Sequence, residues 1–242
     1  MTISSQFSRV SAIIPEDKST WLDKIFLTVD IEWASDEVLS YLLNILDEYQ
    51  IPATFLVTHQ TKLLSRILEN PLHDIGIHPN FNFLLNGDSR NGNTMEQVLD
   101  MFFEIVPDAV ASRSHSLTYN SHLRNCLIER GVRYELSQFI PYSMAEKIKP
   151  WWSVSNKLIS VPFIWADDAQ LVYDWDWDPK ILARQEGLTV LDVHPIHVYL
   201  NSENVDRYER TKGVKTSEID KCRNKKSYGI ENFIRDYIES II

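Results

Sequence analysis

Short apolar runs alternate with amphipathic stretches along most of the chain, and this pattern predicts alternating strands and helices. The first clear run, 25–29, is rich in β-branched and aromatic residues and ends abruptly at Asp30, as expected for a buried strand. In 36–49, apolar residues recur at helical spacing, with Ser35 as a candidate N-cap. Strands and helices joined by short connections favour a mainly parallel sheet or barrel. The other strand candidates are 53–57, 74–77, 110–113, 132–136, 158–163 and 188–193; the other helix candidates are 60–69, 94–106, 120–130, 179–186 and 230–241, with a polar loop at 80–93.

Side chains that can carry chemistry stand at the carboxyl ends of the predicted strands. In parallel α/β proteins these strand ends meet at one edge of the sheet, so we expect the side chains to converge. A carboxylate with two or three imidazoles is a normal ligand set for catalytic Zn²⁺ or another divalent transition metal with an open position for water. Such a metal activates water for the hydrolysis of an amide or ester. The residues are Asp30 and Glu32, His78, Arg113 and His115, Asp167 and Asp168, and His194 and His197.

Each of these residues also has a structural interpretation when it is considered alone. His78 and His194 both precede proline, which disfavours helical backbone at the preceding residue, so each could simply mark the end of a strand. Asp167 and Asp168 could be solvated turn residues. The recurrence of such residues at nearly every strand end favours a functional site. The three remaining histidines are interpreted as structural: His59, His73 and His122.

Composition limits the classes of protein that fit this pattern. The 242 residues contain 24 Lys and Arg against 34 Asp and Glu, a net charge of −10, which argues against a nucleic-acid partner. No stretch is apolar enough for membrane insertion, and the first residues lack the pattern of a secretory signal, so we expect a cytoplasmic protein. The two cysteines, Cys126 and Cys222, fit neither a disulfide scaffold nor a CxxC metal site. We expect one domain over 1–242, with a core at 24–200 and a helical extension at 201–242.

The residues from about 24 to 200 resemble the polysaccharide deacetylase family, also known as the NodB-homology domain or carbohydrate esterase family 4, in a divergent form. Thr28, Asp30 and Glu32 are similar to the first motif of that family, which contains two acids. The resemblance implies an α/β fold, a distorted (β/α) barrel of about seven parallel strands. It also implies that Asp30 is the general base and that Glu32 is a metal ligand.

The second and third family motifs leave the third metal ligand open. His78 matches the first histidine of the second motif, but Asn82 stands where the second histidine belongs. An amide oxygen is a poor ligand for a transition metal. Either Asn82 binds the metal weakly, or His115 completes the ligand set, or the site is metal-free, as in the allantoinase-like branch of the superfamily. His115 is favoured because it follows Arg113, which resembles the arginine of the third motif and is expected to pair with Asp30 and keep it ionised.

The fourth and fifth motifs imply the residues that handle the leaving group. His194, at the end of a strand, resembles the histidine of the fifth motif and is the expected general acid. Trp165 with Asp167 or Asp168 resembles the fourth motif, whose acid orients that histidine, and 174–177 is a weaker candidate. We assign Asp168 to the catalytic group. The expected substrate contacts are Asn82, Trp165, Asp167 and His197.

Together these features predict a metal-dependent hydrolase that removes an N-acetyl or other acyl group from an amino sugar or a surface-polysaccharide precursor. Zinc is the expected metal, with cobalt, nickel and manganese as alternatives. Two other functions stay open. One is a metal-independent hydrolase of C–N bonds, and the other is a catalytically inactive relative that binds a carbohydrate or a protein partner.

Overall fold

Parallel strands and short helices alternate along the chain in the computed structural model, which describes residues 6–144, 147–154, 156–183 and 186–241. The strands are β1 (Ile25–Asp30), β2 (Ala53–Val57), β3 (His73–Ile77), β4 (Ala111–Ser112), β5 (Tyr134–Glu135), β6 (Trp151–Ser153), β7 (Leu158–Ser160), β8 (Trp165–Ala166) and β9 (Thr189–Val193). The helices are α1 (Asp36–Tyr49), α2 (Leu64–Glu69), α3 (Asn82–Leu85), α4 (Met95–Ile105), α5 (Ser121–Glu129), α6 (Asp167–Tyr173), α7 (Lys180–Ala183), α8 (Pro195–Leu200), α9 (Val205–Glu209) and α10 (Ile230–Ile241).

The strands form one curled sheet in the order β6-β7-β5-β4-β3-β2-β1-β9-β8. Neighbouring strands are parallel except β6 and β7, which pair antiparallel. The run 158–166 contains both β7, which pairs with β5, and β8, which pairs with β9. It therefore connects the two sides of the sheet. Within the described residues, seven runs of chain are therefore parallel around a distorted α/β barrel. The predicted fold class is confirmed.

A cluster of buried apolar side chains fills the sheet interior near the amino ends of the strands. Val10 and Trp21, from the segment before β1, pack in one buried cluster with Phe26. Successive strand residues point to opposite faces, so Phe26, Thr28 and Asp30 lie on the same face of β1. Polar side chains on that face therefore collect at the carboxyl ends of the strands.

Helices cover the outer face of the sheet. Leu39 and Leu42 of α1 pack in the main core with Leu27 and Val29 of β1. Helix α10 adds to this core from the C-terminal end, and its Phe233 is almost completely buried. Among the described helices, none has both the length and the apolar character that crossing a membrane requires.

The main differences from the predicted elements are short helices. The segment 80–93 is not entirely a loop, because it contains α3. Helix α8 begins at Pro195, a first helical position that proline favours, so this proline starts a helix as well as ending a strand. Helix α2 begins later than the predicted 60–69. The predicted helix 179–186 is observed as α7, and residues 184–185 lie outside the described residues.

Candidate active site

A cavity of about 310 Å³ opens at the carboxyl ends of β1, β3, β4 and β9. Two further cavities, of about 210 and 550 Å³, share Glu32 and His115 with it. The expected convergence of side chains from different strand ends is therefore observed. The polar residues that line the first cavity include Asp30, Glu32, His78, Arg113, His115, Asp168, Asp192 and His194.

Glu32, His78 and His115 bring three potential metal ligands together. Glu32 Oε1 lies 3.2 Å from His78 Nε2 and 3.1 Å from His115 Nδ1, and the ligand atoms all lie within 4.8 Å of one another. The His78 side chain is only 3% exposed, yet neither ring nitrogen has a well-formed hydrogen bond within the described part of the chain. Buried polar atoms without partners are rare and costly. Because imidazole and carboxylate are ligands that zinc and related metals use, these residues fit a divalent transition metal.

Glu32 is placed at the rim of the cavity by an unusual backbone conformation. Its φ of 46° lies in the left-handed region, which residues other than glycine rarely adopt. Burial raises the pKa of Glu32, but contacts with His115 and His78, together with the charge of His194, outweigh this effect and hold the pKa well below its ordinary value. Glu32 is therefore an ionised carboxylate that can bind a cation.

Asp30 and Arg113 form a buried ion pair beside these ligands. Arg113 Nη1 donates to Asp30 Oδ1 at 2.9 Å, and Nη2 donates to Thr28 Oγ1 at 2.9 Å. The guanidinium also lies 4.4 Å from the centroid of the Phe163 ring. The second oxygen of Asp30, Oδ2, lies 3.3 Å from His78 Nδ1. Arg113 thus fixes the orientation of Asp30 toward the three potential ligands, and the predicted pairing is observed.

Asp192 is a second buried acid at the site, and the sequence analysis missed it. It lies in register with Thr28 and accepts hydrogen bonds from Thr28 Oγ1 at 3.0 Å and from Arg113 Nη1. Burial raises the pKa of Asp192 well above its ordinary value, against the opposing effect of Arg113. The available signal was a single acid inside the apolar run 188–193, two residues before His194 and therefore on the same face of the strand.

Asp167 orients His194, and this corrects the sequence-based assignment to Asp168. Asp167 Oδ1 lies 2.6 Å from His194 Nδ1, and Asp167 Oδ2 accepts the backbone N–H of His194 at 2.6 Å. Asp168 is exposed, and its Oδ1 instead accepts the backbone N–H of Ala169 at 2.7 Å. Asp167 is completely buried, so the structure does not support its expected contact with substrate. The two acids differ because α6 begins at Asp167, and consecutive helical residues point in different directions.

Two opposing effects act on the pKa of His194. Burial lowers the pKa of an imidazole, but the charge of Asp167 and its hydrogen bond reverse that effect and raise the pKa of His194 well above its ordinary value. With Nδ1 engaged by Asp167, the free nitrogen Nε2 lies 4.0 Å from Glu32 Oε1. Because Asp167 favours the protonated ring, His194 Nε2 can present an N–H beside the three potential ligands.

Two expected substrate residues, Asn82 and His197, lie beside the main cavity instead of on its lining. The Asn82 side-chain amide donates to Ser116 Oγ at 3.0 Å, which links α3 to the turn that carries His115. His197 lines the adjoining cavity of about 210 Å³, and its Nδ1 lies 3.3 Å from Ser202 Oγ. Burial lowers the pKa of His197, which favours the neutral ring.

Trp165 belongs to the core, which corrects its expected contact with a sugar. The side chain is completely buried, and its ring stacks on Phe233 of α10 with centroids 5.2 Å apart. Trp165 Nε1 donates to Gln170 Oε1 at 3.0 Å. Both polar and apolar parts of the indole are therefore engaged within the protein.

The curled parallel sheet and the acids and imidazoles at its carboxyl edge define an α/β-barrel hydrolase. The sequence matches the WbmS-like polysaccharide deacetylase family over residues 27–212. A crystal structure of a candidate polysaccharide deacetylase involved in O-antigen biosynthesis, from Bordetella bronchiseptica, is 36% identical, with a TM-score of 0.92 and 98% of each chain covered. A candidate polysaccharide deacetylase from Mycobacterium smegmatis is 18% identical, with a TM-score of 0.51 and 90% of each chain covered, and shares the fold. A search of curated proteins finds no significant match.

The chain belongs to the WbmS-like polysaccharide deacetylase family. It is a deacetylase hydrolase that acts on amide bonds. The resemblance expected from the sequence motifs is confirmed.

Proposed function

We propose that the chain removes an N-acetyl or other acyl group from an amino sugar of a surface-polysaccharide precursor, with a divalent metal held by Glu32, His78 and His115. The observation that carries this proposal is that Asp30 and His194 line the same cavity as these three potential ligands. Zinc is the expected metal, with cobalt, nickel and manganese as alternatives. The description of the Bordetella bronchiseptica relative as involved in O-antigen biosynthesis supports a polysaccharide precursor as substrate.

His115 is the third protein ligand in this proposal. Its Nδ1 lies 3.1 Å from Glu32 Oε1, and its side chain is partly exposed at the cavity. The amide nitrogen of Asn82 is engaged with Ser116. His115 would thus replace the imidazole that family members carry at the position of Asn82.

Asp30 acts as the general base. A metal bound by the three ligands would polarise the acyl oxygen and lower the pKa of a water molecule. Asp30 accepts a proton from the water that attacks the acyl carbon. Arg113, which donates to Asp30 Oδ1 at 2.9 Å, fixes the orientation of the carboxylate, so that Oδ2 lies on the side of His78.

His194 acts as the general acid. As the C–N bond breaks, the amine nitrogen takes the proton from His194 Nε2, and acetate and the free amino sugar are released. Asp167 holds the ring through Nδ1 and stabilises its protonated form. Two carboxylates with different neighbours thus supply the base and orient the acid, Asp30 paired with arginine and Asp167 paired with histidine.

The space around the ligands suits a sugar that is part of a larger precursor. The two adjoining cavities extend from Glu32 and His115 toward α9 and the residues after it. Trp33 lies in this region, 55% exposed, and its ring meets His115 edge-on with centroids 5.3 Å apart. An exposed aromatic ring whose position is fixed by such a contact offers a flat face on which a sugar can stack.

Acetate release from a panel of N-acetylated amino sugars tests the proposed function. The panel contains free sugars, nucleotide-linked sugars and short oligosaccharides, and each is incubated with protein loaded with Zn²⁺, Co²⁺, Ni²⁺ or Mn²⁺. We expect turnover on at least one sugar conjugate in the presence of metal. Binding to these sugars without any release of acetate would instead favour an inactive carbohydrate-binding relative.

Asp167→Asn is expected to narrow the pH range of activity from the alkaline side. Because Asp167 raises the pKa of His194, the acid form is present below this pKa and is lost as pH rises through it. Removing the charge should lower kcat and move the alkaline limb of its pH profile to lower pH. Asp168→Asn, the matched control, should move the limb less, because Asp168 raises the pKa of His194 by its charge alone and more weakly than Asp167 does. An unshifted limb in Asp167→Asn would contradict the assigned role of Asp167.

A further inference from the structure

A second group of potential metal ligands lies between α4 and α5, outside the active site. Glu96 stands in the first turn of α4, and His122 and Cys126 lie one helical turn apart on α5. Glu96 Oε1 lies 2.8 Å from His122 Nε2 and 3.4 Å from Cys126 Sγ, and the latter two atoms are 3.7 Å apart. The side chains of two neighbouring helices thus place oxygen, nitrogen and sulfur donors around one point.

Two of the three separations between these atoms are close to the edges of a tetrahedral zinc site. Zinc bonds of about 2.0–2.3 Å at tetrahedral angles place ligand atoms about 3.3–3.6 Å apart. The two edges that include Cys126 Sγ are already close to these values. The Glu96–His122 edge must open by about half an ångström to reach them. His122 is 64% exposed, so its ring has the freedom to make this adjustment.

The backbone around the donors is already fixed. Arg130 Nη1 donates to the carbonyl oxygen of Cys126 at 3.1 Å, and Nη2 donates to the carbonyl oxygen of Glu96 at 3.3 Å. One guanidinium therefore holds two of the three ligand residues in register. Cys126 is 2% exposed and belongs to the main core, which anchors the sulfur side of the site. A ligand set held in this way loses little conformational freedom when it binds an ion.

We propose that Glu96, His122 and Cys126 form a second zinc site, with its fourth position open to water, that joins α4 to α5. The thiolate and imidazole ligands favour zinc over magnesium or calcium, which prefer oxygen ligands. Burial raises the pKa of the Cys126 thiol to about 11, and the thiol donates to Glu96, so zinc binding displaces this proton.

Cobalt substitution tests this site independently of the proposed catalytic metal. The proposed catalytic ligands include no cysteine, so a near-ultraviolet absorption band from charge transfer between thiolate and Co²⁺ reports only a cysteine site. Under reducing conditions, Co²⁺ should produce this band in the full chain and in Cys222→Ser, the matched control. It should be lost in Cys126→Ser and retained in His78→Ala. Absence of the band in the parent protein, or its survival in Cys126→Ser, would overturn the proposal.

Zinc stoichiometry provides the second readout. His122→Ala changes an exposed side chain, so loss of the fold does not complicate the result. By equilibrium dialysis against Zn²⁺, His122→Ala should bind about one ion fewer per chain than the parent protein, with acetate release retained. Equal zinc content in the two proteins would count against the site, whether or not the chain shows deacetylase activity.

Discussion

Replacing Asp30 with asparagine is expected to lower kcat/KM for acyl removal by about 10²–10⁴-fold, the usual contribution of a positioned general base. Asparagine preserves the shape of the side chain, and its carbonyl can still accept the hydrogen bond from Arg113. Its amide cannot take a proton from the attacking water. Acetate release at saturating and limiting substrate gives kcat and kcat/KM, and zinc content and circular dichroism establish that the variant is folded and loaded with metal.

Asp168→Asn is the matched control for this variant. Asp168 lies on the wall of the same cavity, but its carboxylate accepts a backbone N–H of α6. The same charge is therefore removed from the same cavity without loss of the base, and we expect a much smaller change in kcat/KM. A folded, metal-loaded Asp30→Asn with parental activity would show that another group is the base. Asp192, which shares Arg113 with Asp30, would then be the next candidate.

Local patterns account for most of what the sequence predicted about the site. Asp30 and Glu32 stand at the end of a buried strand, and the parallel pairing of β1 with β9 and, through β2, with β3 brings His194 and His78 to the same edge. Strand ends could be located because apolar runs stop abruptly at polar residues. Helix α1 has the predicted bounds and the predicted N-cap, Ser35, because capping and apolar spacing are also local signals.

Contacts between distant segments account for what the sequence did not predict. Trp165 is buried because Phe233, from the last helix, covers it. Asp192 becomes part of the site through Arg113, which reaches it across the sheet interior. Asp167 and Asp168 are adjacent in sequence, and only the start of α6 decides which carboxylate faces His194. The cytoplasmic location, the absence of a nucleic-acid partner and the extent of the single domain stay predictions from composition and pattern.

Loss of the catalytic metal is expected to have an effect at least as large as loss of the base. Charge stabilisation by a metal contributes several kcal/mol to the transition state, so stripping the ion or changing His78 to alanine should reduce kcat by about 10³-fold or more. His78 is the most buried of the three proposed ligands. Its replacement should also release the ion, which can be measured as zinc retained after dialysis alongside acetate release.

The comparison with His122→Ala makes this prediction specific to one ion. Both variants remove an imidazole that lies beside a glutamate, but only His78 faces the cavity that contains Asp30 and His194. We therefore expect each variant to lose about one zinc, and only His78→Ala to lose activity.

Activity of the chelated parent protein should return when Zn²⁺ or Co²⁺ is added back. Undiminished turnover after complete removal of metal would rule out the metal-dependent mechanism. Asp30, Arg113 and His194 would then have to activate water and protonate the amine by themselves, as in a metal-independent hydrolase of C–N bonds.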